Sequence, residues 1–122
     1  RSKNKFENFG MWEELEAIPQ LVLTEPLDYF AFQKLVKYAK VILTDSGGIQ
    51  EESTFRQVPC LTIRENTERP STIDLGTNQL VPANVDLIME KISAPKSGQI
   101  PPLWDGKATW RVMEHLLNSL HE

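Results

Sequence analysis

The chain has 122 residues, 40% of them apolar and 25% charged, with a formal net charge of −4. That is room for one domain with a modest core, and an acidic balance without a long run of Lys or Arg argues against a nucleic-acid footprint. No apolar run approaches the roughly 18 residues that a membrane helix needs, and no signal-peptide pattern is visible.

The chain opens at Arg1 in a polar stretch, Arg1 to Lys5, which reads as the interior of a longer protein. Glu7 to Ala17 reads as a helix, with Met11, Leu15 and Ile18 at helical spacing and Pro19 as its end. Leu21 to Thr24 is a short apolar strand, broken by Pro26. Asp28 is placed to cap the next helix, which runs to about Lys40 and whose buried stripe is Phe32, Leu35, Val36 and Ala39. Val41 to Thr44 is a second strand, and the segment from about Gly48 to Phe55 a helix. Cys60 to Ile63 and Gln79 to Val81 are the third and fourth strands. Asn84 to Ser93 is helical, with Val85, Ile88, Met89 and Ile92 on one side. A Pro- and Gly-rich loop leads to a last helix, about Lys107 to Leu120, with Met113, Leu116, Leu117 and Leu120 inward. Strands alternating with helices, and strands apolar without alternation, predict an α/β fold with a mainly parallel sheet of about four strands. Cys60 is the only cysteine, so an intramolecular disulfide is impossible and a reducing, cytoplasmic compartment fits. It reads as a small buried strand residue.

The segment with most chemical content is Thr44-Asp45-Ser46-Gly47-Gly48. In an open parallel sheet, ligands bind at the carboxyl ends of strands, and this segment sits at such an end while opening a helix. The first N–H groups of that helix lack intrahelical partners and carry the positive end of its dipole. Two glycines let backbone approach a ligand with no Cβ in the way, and Ser46 adds a hydroxyl. The result is a cradle suited to a phosphate or diphosphate. The alternative is a plain strand-to-helix turn with Asp45 or Ser46 as cap. The loop has neither the Lys of a P-loop nor the full Gly-x-Gly-x-x-Gly spacing. Glu51 and Glu52 lie about one turn into the helix, and a carboxylate there could accept from both hydroxyls of a ribose. Adjacent helical residues diverge by about 100°, so one of the two faces the cradle. The alternative is that both are dipole-favouring acids facing water. Arg64 to Pro70 follows the third strand and lies at the same edge of the sheet. There Arg64 could also pair with Glu65 or Glu68.

Asp45 to Glu52 (DSGGIQEE), followed by Pro59 to Pro70 (PCLTIRENTERP), closely resembles the non-hydrolysing UDP-N-acetylglucosamine 2-epimerases. Leu21 to Tyr29 and Trp104 to Ala108 also look like family segments. The resemblance implies a glycosyltransferase-B fold, of which residues 1–122 would be part of the Rossmann-like, nucleotide-binding C-terminal domain. It implies that Ser46, Gly47 and Gly48 hold the UDP diphosphate, that Glu52 holds the ribose hydroxyls, that the backbone around Phe32 reads the uracil and that Arg69 completes the site. The Phe32 side chain equally fits core packing. The implied chemistry interconverts UDP-GlcNAc and UDP-ManNAc by elimination and re-addition of UDP, with neither a nicotinamide nor a metal, in polysaccharide biosynthesis and in a homodimer of the intact protein. The acid/base carboxylates of that chemistry belong mainly to an N-terminal domain, so no catalytic residue is expected on this chain, and it should not epimerise alone. His115 and His121 read as solvent-facing. Ser53 to Gln57 departs from the Ala-Pro-x-Leu-Gly that often follows the paired glutamates, which puts the local helix packing in doubt. A hydrolase or transferase-like relative, or a UDP-sugar-binding module without catalysis, remains an alternative. Carried over, the Rossmann strand order leaves a gap between residues 21–24 and 41–44. The two strands are expected to close it by pairing directly, the alternative being edge joining between two copies.

Overall fold

The computed structural model describes residues 2–121. Two compact units meet in sequence between Phe32 and Gln33. In the first, the single helix expected over residues 7–17 is two: α1 (Ser2–Asn8) and α2 (Trp12–Glu16). Gly10 divides them at φ +68°, a backbone conformation that glycine adopts without a steric cost. The Lys3 ammonium pairs with Glu25 at 3.1 Å and lies 5.2 Å from the centre of the Trp12 ring, while Trp12 Nε1 donates to Glu16 Oε1 at 2.7 Å. α3 (Tyr29–Tyr38) starts as expected, with Asp28 Oδ1 accepting from the Ala31 amide at 2.9 Å. Its expected stripe is not formed. Val36 is buried, but Phe32 and Leu35 are exposed, and the second buried residue is Gln33, one helical turn away.

The second unit holds β1 (Ile42–Thr44), α4 (Gly47–Phe55), β2 (Cys60–Ile63), α5 (Pro70–Asp74), β3 (Asn78–Val81), α6 (Val85–Ser93) and α7 (Ala108–Leu120). The sheet is parallel, in the order β1-β2-β3, with Leu43 opposite Leu61 and Thr62 opposite Leu80. The expected four strands are therefore three among the described residues. Residues 21–24 form no strand, Val22 is 81% exposed, and β1 has β2 as its sheet neighbour. The expected pairing of 21–24 with 41–44 is not made. Four apolar-leaning residues between two prolines carry strand propensity, but propensity becomes a strand only where a ladder partner exists.

β2 is the central strand, and Cys60, Leu61 and Thr62 on it are fully buried. α4 packs on β2 and β3, and α5 on β3 and α4. The apolar core is small: Val36, Val58, Cys60, Leu61 and Val81. Beside it lie Gln50, Ser53, Thr54, Thr62, Thr72, Thr77 and Asn78, all buried as deeply. Hydrogen bonds hold most of them, as burial of polar groups requires; the exceptions are Gln50 Nε2 and Thr54 Oγ1, which have no partner among the described residues. Asn78 is the hub. Its Oδ1 accepts from Thr62 Oγ1 at 2.7 Å, and its Nδ2 donates to Gln50 Oε1 at 3.0 Å and to Thr72 Oγ1 at 3.1 Å.

α4 ends in a Schellman motif: the Val58 amide bonds Ser53 O at 2.9 Å and the Gln57 amide bonds Thr54 O at 3.1 Å. Gln57 takes the left-handed position at φ +58°, and its own Nε2 adds a bond to Thr54 O at 2.8 Å. The departure at residues 53–57 thus leaves α4 properly closed. α6 is capped by the Asn84 side chain, which accepts from the Leu87 amide at 3.0 Å. The loop before α7 is tied down: the Gln99 amide bonds Leu75 O at 2.7 Å, and Lys96 Nζ donates to Ile73 O. Asp105 accepts from two N–H groups of Arg111, at 2.9 and 3.0 Å, and from the Lys107 amide at 3.0 Å. Those bonds, Arg111 first, pull its carboxyl down to about 2. The apolar face of α7 is a further correction: Met113, Leu116 and Leu117, expected inward, are about half exposed, and Leu120 is 80% exposed.

Removing the hub should expose its importance. Asn78→Leu removes three hydrogen bonds at once: Gln50 Oε1 keeps Thr67 and Thr72 Oγ1 keeps Arg69 O, but Thr62 Oγ1 is stranded in the core. Since each stranded polar group costs about 1–3 kcal/mol, the loss in chemical denaturation is expected to reach about 3 kcal/mol, far beyond an ordinary surface substitution.

Candidate functional site

Thr44 ends β1 and its Oγ1 accepts from the Ser46 amide at 3.0 Å, turning the chain into α4. Ser46 is the N-cap residue, extended at φ −82°, ψ 129°, but its side chain makes no capping bond. The first-turn amides of α4 are therefore not closed by the side chain placed to close them. Gly47 and Gly48 follow at ordinary helical φ, outside the left-handed region. Their conformation would suit alanine, so what glycine provides here is space. A Cβ on Gly48 would meet nothing within 4 Å, and one on Gly47 would lie 3.2 Å from Glu68 Oε1.

The loop 64–70 is not merely solvated. Thr67 Oγ1 donates to the buried Gln50 Oε1 at 2.6 Å and accepts from the Arg69 amide at 3.0 Å. Thr72 Oγ1 then bonds Arg69 O at 2.7 Å. Through these bonds the loop belongs to the Asn78 network. Both of its arginines are paired: Arg64 with Glu68 at 3.3 Å, and Arg69 Nε with Glu51 Oε1 at 3.3 Å. The Arg69 Nε atom is buried, and its contact with Glu51 lacks hydrogen-bond alignment. Both pairs are partly exposed, where such contacts contribute little to stability. A hydrogen bond from its own amide, and then the Arg64 guanidinium, hold the Glu68 carboxyl below its ordinary value.

The two adjacent acids diverge as helical geometry requires. Glu51 turns to Arg69, and Glu52 Oε2 accepts from Gln33 Nε2 at 2.6 Å. Gln33 Oε1 in turn accepts from Arg56 Nε at 2.9 Å. Neither acid is a free carboxylate on a solvated helix face. Of the six expected site residues, Ser46, Gly47, Gly48, Glu52 and Arg69 lie in the second unit, and Phe32, 39% exposed on α3, in the first. Cys60 is wholly buried, and that burial pushes its thiol up, the opposite of what a nucleophile needs. His115 and His121 are exposed. Among the described residues, no group of His, Cys, Asp and Glu could hold a metal ion, and no helix is long and apolar enough to cross a membrane.

Sequence reasoning missed Gln33, Gln50 and Arg56. A signal for Gln50 was present: Gln50, Ser53 and Thr54 recur at i, i+3, i+4, all uncharged, on the side of α4 away from its charges. Gln33 and Arg56 are 23 residues apart and share no local pattern.

A family model described as UDP-N-acetylglucosamine 2-epimerase matches residues 2–117. The UDP-N-acetylglucosamine 2-epimerase of Methanocaldococcus jannaschii is 36% identical over 119 residues, 95% of this chain and 32% of that protein. The Escherichia coli K12 protein of the same name is 35% identical over 111 residues, 84% of this chain and 30% of its own. The crystal structure of the M. jannaschii enzyme in complex with UDP-GlcNAc and UDP has a TM-score of 0.83 at 34% identity, covering 97% of this chain and 33% of that one. A Neisseria meningitidis UDP-GlcNAc 2-epimerase bound to UDP-GlcNAc has a TM-score of 0.75 at 32% identity, covering 88% of this chain and 32% of that one. The chain thus spans about a third of the length of the relatives it matches.

The paired loop has a pH signature. A carboxyl lowered in the folded state adds stability that is present above its ordinary value, about 4.3, and is lost as pH falls through the folded one. In an NMR titration Glu68 should therefore reach its midpoint below its ordinary value. Arg64→Gln should move that midpoint part of the way back, because the Glu68 amide bond, the larger cause, stays in place.

Proposed function

The chain belongs to the UDP-N-acetylglucosamine 2-epimerase family, and on that premise we propose that it is the nucleotide-holding part of an enzyme that interconverts UDP-GlcNAc and UDP-ManNAc. In this reading residues 1–122 are part of the C-terminal, nucleotide-binding domain. The amides at the start of α4, with the Ser46 hydroxyl and the open space over Gly48, receive the diphosphate. Glu52 accepts from the ribose hydroxyls, and Arg69 completes the charge balance. The observation that carries the reading is the uncapped start of α4, where two glycines stand in a conformation any residue could adopt and Gly48 borders empty space.

Inversion at C2 then proceeds by elimination. A base removes the C2 proton while the C1–O bond to UDP breaks, leaving a glycal and free UDP. UDP re-adds at C1 as a proton arrives at C2 from the opposite face. Negative charge builds on the departing diphosphate, and preorganised N–H groups aimed at it stabilise that charge without rearranging. The cradle would thus serve binding and bond cleavage together. The acids that move the C2 proton must come within about 3 Å of it, and the reading places them outside this segment. A cytoplasmic setting accords with the lone free Cys60. The resemblance extends the reading to a homodimer of the intact protein.

Gly48→Ala separates this reading from a plain turn, because it should move two quantities in opposite directions. Alanine is favoured over glycine inside a helix by up to about 1 kcal/mol, so stability in chemical denaturation should rise. UDP affinity by calorimetry should fall about tenfold or more, since the added methyl fills the approach to the amides and strands good hydrogen bonds. Unchanged UDP affinity would remove the cradle from the proposal.

Product analysis by NMR tests the reaction assignment. The 122-residue chain incubated with UDP-GlcNAc is expected to leave it intact. UDP-ManNAc would show that Glu51, Glu65 or Glu68 supplies acid–base chemistry on this chain, and free sugar with UDP would mark a hydrolase.

A further inference from the structure

We propose that Gln33 is a positioning residue for the ribose-binding carboxylate, oriented for that task by Arg56. The inference rests on the assignment of Glu52 to the ribose hydroxyls. Gln33 is 8% exposed on α3, a buried polar side chain on a helix whose sequence periodicity calls for an apolar one. Its carboxamide lies between an obligate donor and an obligate acceptor. The Arg56 guanidinium can only donate and does so to Oε1 at 2.9 Å; the ionised Glu52 can only accept and does so from Nε2 at 2.6 Å. This fixes which end of the carboxamide faces which helix position, a choice that heavy-atom geometry alone leaves open.

The consequence falls on Glu52. With Oε2 held by Gln33, the carboxylate is fixed about its terminal torsion, and Oε1 accepts no bond from the described residues. It is left for a ligand's hydroxyls. The Arg56 charge polarises the carboxamide and makes its N–H the stronger donor to Glu52 Oε2. Apolar contact would hold α3 against α4 equally well. A donor aimed at Oε2 has a use only if the carboxylate must be held in one orientation. Arg56 itself is exposed and sits just past the last turn of α4, where a cation is favoured by the helix dipole.

The test compares UDP with its 2′,3′-dideoxy analogue, which keeps the uracil and diphosphate and lacks both hydroxyls. Calorimetry on the 122-residue chain gives the ratio of the two affinities, and Glu52→Gln should collapse it. Gln33→Leu is expected to cut UDP affinity about fivefold, the equivalent of one modest hydrogen bond, while leaving the dideoxy affinity unchanged. Arg56→Leu, at an exposed position, should act the same way in smaller degree, and Arg56→Lys should restore most of the ratio by keeping a charged donor. Thermal melts on each variant separate positioning from general loosening. A Gln33→Leu chain that loses both affinities in parallel, or that keeps the parent ratio while Glu52→Gln destroys it, would overturn the positioning role and leave the proposed function standing. A parent chain that does not distinguish the two nucleotides would overturn the ribose role of Glu52, and this inference with it.

Discussion

The Asn78 carboxamide is the contact on which the second unit depends. It reaches from β3 to Thr62 on β2, to Gln50 on α4 and to Thr72 on α5. Gln50 carries the connection on to Thr67 and so to the charged loop. An apolar core of five residues packs elements by area, and area has no direction. A hydrogen bond does. Here the bonds tie α4, α5 and the loop 64–70 to the sheet through named atoms. A buried amide is costly unless satisfied, so the network tolerates few alternative packings. In a three-stranded sheet with little apolar filling, that intolerance supplies the specificity.

What the network positions is a helix start left open. α3 and α6 are closed by Asp28 and Asn84, side chains that accept from first-turn amides. α4 has a serine in the same place that makes no such bond, followed by two glycines where alanine would favour the helix. The same helix closes at its other end on Gln57 in a left-handed conformation that glycine would hold more easily. Local stability is thus forgone at both ends of α4. At the start, the reason is the space over Gly48; at the end, Gln57 recovers part of the cost through its own bond to Thr54. Charge is arranged around the opening with similar economy. Glu68 is the acid nearest to Gly47, and Arg64 and Arg69 pair with Glu68 and Glu51, so the rim holds both signs in contact.

The amphipathic helices show the limit of periodicity. α7 has apolar residues at the right spacing, and the spacing does form a helix, yet Met113, Leu116 and Leu117 are about half exposed. On α3 the phase shifts: Val36 is buried with Gln33, and Leu35 faces out. Periodicity tells that a face exists. It does not say what the face meets.

From the sequence alone, the alternation of elements, the bounds of β2 and the span of α4 to within one residue were legible, because these depend on propensity, turn residues and apolar runs within a few positions of one another. The Asp45 to Glu52 segment was legible for the same reason: a strand end, two glycines and two acids are adjacent in the chain, and their chemistry can be read in order. Tertiary structure alone decided that residues 21–24 are not a strand, that Asn78 joins Gln50, Thr62 and Thr72, and that Glu52 is held by Gln33 and Arg56. Each of these depends on what a residue meets from a distant part of the chain. A strand needs a ladder, a buried amide needs its partners, and a carboxylate is aimed by whichever donor reaches it. Those contacts are formed across 16 to 28 residues of sequence, and no local pattern encodes them.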